Sequence, residues 1–236
     1  VLLLTCLPYW VESILLVPAA YILVHVSSLL ITVADGDDVP TSLTRRLAAM
    51  VSDPSVTRLI VSPGSDSSMA PDAFFARVAA ALMKLERLDI EVAYVAPHAT
   101  AATKNFGLPH GDAAQRLAET GTAQQLPLIR DDAATVLVGR ARHLGADGAK
   151  LHGECIADSD TIFNGDARGV EIEPLTVEPG VRGRLIRRLP GGWKTGRAVQ
   201  TGGTNVTVER EGEWTQRVVK RSTFYRHHID WNLVLP

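Results

Sequence analysis

The chain has 236 residues, 46% hydrophobic and 21% charged, which excludes a disordered or collagen-like polypeptide and supplies enough apolar side chains for a sizeable core. At roughly 100–200 residues per domain the length fits one large domain or two small ones. Two cysteines, Cys6 and Cys155, exclude a disulfide framework and fit a reducing compartment, and a formal charge of −2 gives no reason to expect nucleic acid as a partner.

The charge is unevenly spread. Residues 1–44 hold no Lys or Arg but four acids, Glu12, Asp35, Asp37 and Asp38. Ile14 to Val33 is a 20-residue stretch without formal charge, followed by Arg45 and Arg46, a pattern that meets the length of a membrane span. Pro18 interrupts it, however, and would end a helix too early to cross a bilayer. Residues 1–33 therefore read as apolar strands of an α/β sheet, Glu12 to Val17 and Tyr21 to Val33, with a membrane-proximal segment as the alternative. With neither a basic n-region nor a small-residue cleavage site, no signal peptide is expected.

From Leu29 to Pro97 strand and amphipathic helix alternate. Leu29 to Val33 reads as a strand ending in the turn Asp35-Gly-Asp-Asp-Val-Pro, after which Thr41 is placed to cap a helix carrying Leu43, Leu47 and Met50. Arg58 to Val61 is a second strand, closed by Pro63-Gly64. Pro71 opens a second helix with Phe74, Val78, Ala81, Leu82 and Leu85 on one face. Glu91 to Val95 is a third strand, and Ala113 to Glu119 a helix stopped by Gly121. This alternation predicts βαβ units and a parallel sheet over residues 1–121.

Beyond Gly121 the helical period disappears. Ala123 to Ala141 reads as a hairpin turning at Arg130-Asp131-Asp132, and short alternating runs continue from Leu151 to Leu235, separated by Gly, Asp and Pro. Residues 122–236 are accordingly expected to form an all-β sandwich domain, hinged to the first near Gly121.

Two loops after strands have the chemistry of a nucleotide site. Gly64-Ser65-Asp66-Ser67-Ser68 lies between a strand and a helix N-terminus, where small residues admit a polyphosphate to the backbone and the helix offers free N–H groups. Asp66 is suited to orienting a ribose or a hydrated Mg²⁺. The plain alternative is a Ser/Gly-rich βα turn. Pro97-His-Ala-Thr-Ala-Ala102 follows the next strand, where Thr100 and Asn105 are placed to reach a nucleotide; equally, Thr100 caps the short helix running to Phe106. His152, Glu154 and Cys155 do not share one strand face, so no metal site is expected there.

The order of these segments, followed by Asn105-Phe-Gly-Leu-Pro109, resembles the diacylglycerol and lipid kinase family, relatives of the NAD kinases. In that family a GGDGT loop precedes P-x-G-T-x-N and an all-β C-terminal domain. Val208 to Glu213 is similar to its DGE turn. The resemblance spans about Ile31 to Pro236 as scattered short matches. It implies ATP and Mg²⁺ held at Gly64, Ser65, Ser67, Ser68, Thr100 and Asn105, with Asp66 and Glu211 catalytic and a lipid hydroxyl as acceptor. It also implies a cytoplasmic protein, peripheral at the inner membrane face. The departures are specific: Ser65 and Ser67 replace glycines, Ala102 stands where Asn is expected, and Glu211 replaces the aspartate. The alternative is therefore a non-enzymatic lipid- or membrane-binding scaffold of the same fold.

Gly180 to Arg197 holds Arg182, Arg184, Arg187, Arg188, Lys194 and Arg197 without an acid, and Trp193 lies among them. Arg182, Arg184, Arg187 and Arg188 are expected to meet a lipid headgroup or anionic membrane; the plain alternative is a solvated strand face. A homo-oligomer is compatible with this sequence.

Overall fold

The structure, a computed structural model, describes residues 27–34, 36–64, 67–188, 191–215 and 217–236. The strand or membrane-proximal assignment for residues 1–26 lies outside them, as do Ser65 and Asp66.

Strand and helix alternate first: β1 (Ser27–Ile31), α1 (Pro40–Met50), β2 (Val56–Val61), α2 (Pro71–Lys84), β3 (Glu91–Tyr94), α3 (Ala101–Phe106) and α4 (Asp112–Thr120). β1, β2 and β3 are parallel neighbours. Helix α1 begins two residues earlier than expected. Pro40 is its first residue and Val39 its N-cap, with no side-chain cap, because proline's fixed φ and missing N–H suit that position and leave Thr41 inside the first turn. Helix α2 is buried well beyond one face: eleven of its 14 residues, including Phe74, Phe75, Val78 and Leu82, are inaccessible. A helix apolar around its whole circumference must be covered on both sides, and α2 is indeed packed between the parallel sheet and the β-rich layer.

The remaining strands are β4 (Thr122–Leu126), β5 (Ile129–Asp131), β6 (Val136–Leu137), β7 (Ala141–Gly145), β8 (Leu151–Ala157), β9 (Asp160–Ala167), β10 (Gly169–Pro174), β11 (Val181–Leu185), β12 (Lys194–Gly196), β13 (Ala198–Arg210), β14 (Glu213–Trp214), β15 (Val219–Arg226) and β16 (Trp231–Leu235). Two of them correct the expected division of the chain. β16 returns to the first sheet, parallel to β3, and β4 pairs antiparallel with it, giving the order β1-β2-β3-β16-β4. The chain thus leaves the first sheet after Leu126 rather than at Gly121, and comes back before Trp231. The two crossings run side by side, joined by His227 N–H donating to the Leu128 carbonyl at 2.8 Å. The reason lies in packing. Trp231 and Leu233 are fully buried in the first core, where the Trp231 ring meets Phe75 at 5.6 Å and Phe106 edge-on at 6.0 Å.

The other strands form one antiparallel sheet built around β13, whose 13 residues pair with β15 along one edge and with β8, then β7, along the other. The expected hairpin survives in reduced form as β5 and β6, with Ile129 opposite Leu137. The sheet folds over itself into two layers: a side chain on Gly183 of β11 would strike Ile162 of β9 and Val199 of β13. Its core contains Val170, Ile172, Val199, Val206 and Phe224. The architecture is an α/β layer with helices followed by a β-rich layer, as the sequence predicts. Among the described residues no helix is long and apolar enough to cross a membrane.

Buried Arg58 of β2 locks α4 onto the sheet. Its guanidinium donates to the Ala118 and Gly121 carbonyls, each at 2.9 Å, and to Glu91, satisfying the exposed carbonyl end of that helix. If β16 is part of the first core, Leu233→Ala, at 0% exposure, should cost about 2–5 kcal/mol in urea unfolding; a cost under 1 kcal/mol would show β16 to be dispensable there.

Candidate functional site

Two features flank the N-terminal turn of α2. The first is a cavity of about 680 Å³ beyond the carboxyl ends of β1 and β2, lined by Gly36, Asp37, Asp38, Gly64, Ser67, Ser68 and neighbours. This is where open parallel sheets place ligands. Gly36 and Gly64 have φ of +85° and +80°, and neither has any atom near where a side chain would project, so the backbone is open to the cavity on both strands' loops. Asp37 is not free for a ligand: its Oδ2 accepts from Ala34 N–H at 2.9 Å and pairs with Arg46 at 3.0 Å. Asp38 is exposed. No Lys or Arg is among the described lining residues.

The second feature is a buried polar cluster where the two layers meet. Asp72, in the first turn of α2, accepts from the Tyr94 hydroxyl at 2.9 Å and from Ala102 N–H at 3.0 Å. Glu211 sits in the turn between β13 and β14 with φ +51°. Its carboxylate accepts from three successive backbone amides, Val138 at 2.8 Å, Gly139 at 2.9 Å and Arg140 at 3.2 Å, a concavity of N–H groups suited to an anion. Gly139 is required by close approach: a side chain there would overlap Glu211 Oε2 and come within 2.8 Å of Asp72 Oδ2. Burial pushes the Glu211 carboxyl up to about 8, and the nearby Asp72 charge adds to this, against the opposing pull of the three amides. Tyr94 is likewise raised, first by burial and then by Asp72.

The residues expected to bind a nucleotide divide between these features. Gly64, Ser67 and Ser68 line the cavity, with Ser67 Oγ also accepting from Met69 N–H at 3.1 Å. Thr100 and Asn105 stand at the polar cluster instead. Thr100 caps α3 in a reciprocal capping box with Thr103, and Asn105 donates its amide to the Val138 and Gly139 carbonyls. Asp72, Tyr94 and Gly139 were not singled out in the sequence. The available signal was an acid directly after Pro71, in the first turn of an otherwise apolar helix.

Arg77 of α2 joins the two features. Its guanidinium donates to the Asp37 carbonyl at 2.9 Å and to both carboxylate oxygens of Glu213 at 3.0 and 2.8 Å, tying the cavity wall to the turn that carries Glu211. Two members of the basic run are paired locally. Arg182 and Arg184 of β11 face Glu173 and Glu171 of β10 in register, each pair at 2.6 Å. Both guanidinium groups also lie 4.3 Å from the Trp193 ring. These two charges are therefore neutralised by the neighbouring strand, which sequence proximity did not disclose.

No family model matches the chain, and no curated protein matches it by sequence. Solved structures do. A diacylglycerol kinase from Bacillus anthracis strain Sterne superposes with a TM-score of 0.62 at 10% identity, covering 87% of this chain and 84% of that one. Two further structures from that organism, also assigned as diacylglycerol kinases, give TM-scores of 0.62 and 0.63 at 11% and 10% identity, each over 83% of this chain. The chain has the diacylglycerol kinase fold.

The polar cluster sets an expected pH profile together with His143 of β7. His143 is fully buried, bonded to Thr201 at 2.7 Å and stacked on Phe224, and burial depresses it from 6.5 to about 3. For Glu211, raised from 4.5 to about 8, the stabilising protonated form is lost as pH rises through that interval. For His143 the stability is complete above 6.5 and lost as pH falls toward 3. The opposed slopes overlap from 4.5 to 6.5, so the melting temperature should be flat there and fall on both sides. Glu211→Gln should abolish the alkaline fall and also the flat region, leaving a melting temperature that climbs from about pH 3 to 6.5 through His143 alone. Gly139→Ala should destabilise by about 1–3 kcal/mol, and an unchanged denaturation midpoint would contradict the close approach of the two carboxylates.

Proposed function

We propose that this protein binds a magnesium–nucleoside triphosphate such as ATP in the cavity and acts as a lipid-kinase-like phosphotransferase toward a lipid hydroxyl, at a membrane surface. The observation that carries the reading is the cavity itself. It lies at the ends of two parallel strands, with left-handed glycines Gly36 and Gly64 opening the backbone and the N-terminus of α2 beyond Ser67 and Ser68. Its charge argues for the metal complex rather than bare polyphosphate. With Asp38 exposed on a rim whose described residues include no base, phosphate needs a counter-ion, and Mg²⁺ bound to the nucleotide supplies it. Among the described residues no group of three or more His, Cys, Asp or Glu could hold a metal alone, so the ion would arrive with the nucleotide, with Asp66 and Asp38 as its nearest carboxylates in sequence.

In this reading Glu211 is the acceptor's base. A carboxylate raised to about 8 is matched to taking a proton near neutral pH, and the amides of residues 138–140 hold it in place. Arg77 fixes the distance between nucleotide and base. A second reading, the non-enzymatic lipid-binding scaffold, is favoured by one observation: Thr100, Asn105 and Glu211 all direct their polar atoms to partners within the protein.

At 100-fold excess over its dissociation constant, ATP with Mg²⁺ should raise the melting temperature by roughly 5–10 °C, and ATP with a chelator by much less. Ser68→Trp, on the exposed rim, should leave the unliganded melting temperature unchanged and remove the shift. Labelled phosphate should pass from ATP to a lipid extract, and Glu211→Gln should slow this by about 10²–10⁴-fold. A nucleotide shift without transfer selects the scaffold; no shift overturns the nucleotide site.

A further inference from the structure

Trp214 is 60% exposed and Val218 48% exposed, two of the six exposed large apolar side chains among the described residues. Both line the same groove, about 550 Å³, together with Leu144, Thr207 and the 3-10 turn Ala146–Gly148. We propose that this groove is the face with which the protein docks on an anionic lipid bilayer.

The exposure of Trp214 is built in. Trp214 is held opposite Glu209 by the β13–β14 ladder, and the next residue is fixed by Thr215 N–H donating to the Val208 carbonyl at 2.9 Å and by Arg210 donating to Thr215 Oγ1 at 2.8 Å. The indole therefore points outward from a rigid hairpin. Val219 turns onto the core of the β-rich layer, which leaves Val218 and Lys220 on either side of it facing outward, both exposed. An amphipathic ring beside an aliphatic side chain is the chemistry of the bilayer interface.

Charge selects a membrane over a protein partner. Arg168 lines the groove, and exposed Arg217 and Lys220 flank Val218. None of the three has an acidic partner at ion-pair distance among the described residues. The nearby acids Glu209 and Glu213 are occupied by Arg142 and Arg77, which leaves Asp147 as the one unpaired carboxylate among the groove residues. An apolar centre with a basic rim matches anionic headgroups over acyl chains. Arg182 and Arg184, by contrast, are already paired with Glu173 and Glu171. The proposal extends the lipid-directed part of the function proposed above, but its test needs no nucleotide.

The whole chain is floated with vesicles of phosphatidylcholine, with and without phosphatidylglycerol, at low and high salt. Binding should require phosphatidylglycerol and weaken with salt. Trp214→Ser with Val218→Ser, and separately Arg168→Glu with Arg217→Glu, should each reduce it on the order of tenfold, while Arg187→Glu with Arg188→Glu should not. Unchanged melting temperatures, and any MgATP shift kept in all variants, separate loss of docking from loss of fold or of the nucleotide site. If there is no vesicle binding, or binding survives the groove variants, the proposal is overturned. It is also overturned if the groove residues instead hold together a dimer that Trp214→Ser dissociates in size-exclusion chromatography with light scattering.

Discussion

Everything at the centre of this protein depends on two acidic side chains brought together at a glycine. Glu211 enters from the β-rich layer and Asp72 from the first turn of α2, and both meet at Gly139, where any side chain would collide. Buried carboxylates are costly unless their oxygens are satisfied. Here the solvation is supplied by three consecutive amides for Glu211, and by the Tyr94 hydroxyl and Ala102 amide for Asp72. The amide donors belong to the segment after β6, and the Tyr94 and Ala102 groups to the end of β3 and the start of α3. Satisfying the two acids therefore positions five chain segments at once. What that solvation leaves uncompensated, burial first and the nearby Asp72 charge second, appears as the elevated proton affinity of Glu211.

Around that joint the chain is woven rather than strung as two separate beads. β16 closes the parallel sheet after the entire β-rich layer has been made, and the outgoing and returning crossings are hydrogen-bonded to each other. Helix α2 is enclosed as a result. Its outer side packs against β6, and Val136 and Val138 belong to the same apolar core as Phe74 and Phe75. The cavity and the Glu211 turn consequently share one helix as their frame, with Arg77 bridging them.

The distribution of charge separates structural from available groups. Two members of the longest acid-free basic run, Arg182 and Arg184, are engaged by a cross-strand acidic ladder and by Trp193. Sparse cations at Arg168, Arg217 and Lys220 are left to solvent beside exposed Trp214. A strand pair a few residues apart in sequence neutralises itself, whereas charges brought together by distant loops have no acids in register to meet them.

The sequence by itself determined the local order: period-3.6 apolar spacing marked α2, Pro71 its start, Gly121 the end of α4, and the loss of that period the change to strands. It also pointed to the Gly64–Ser68 loop, because small residues after a strand are legible from residue type alone, whereas Glu211 stood out only through the resemblance of its turn to the DGE turn of the lipid kinases. Only the tertiary structure decided that β4 and β16 belong to the first sheet, since alternating apolar residues are equally content in either sheet and Trp231 found its aromatic partners in Phe75 and Phe106. The same holds for Asp72, Tyr94 and Gly139. They lie 22 to 72 residues from the groups they meet, and a side chain's partner across such a distance is set by how layers pack, which no local pattern encodes.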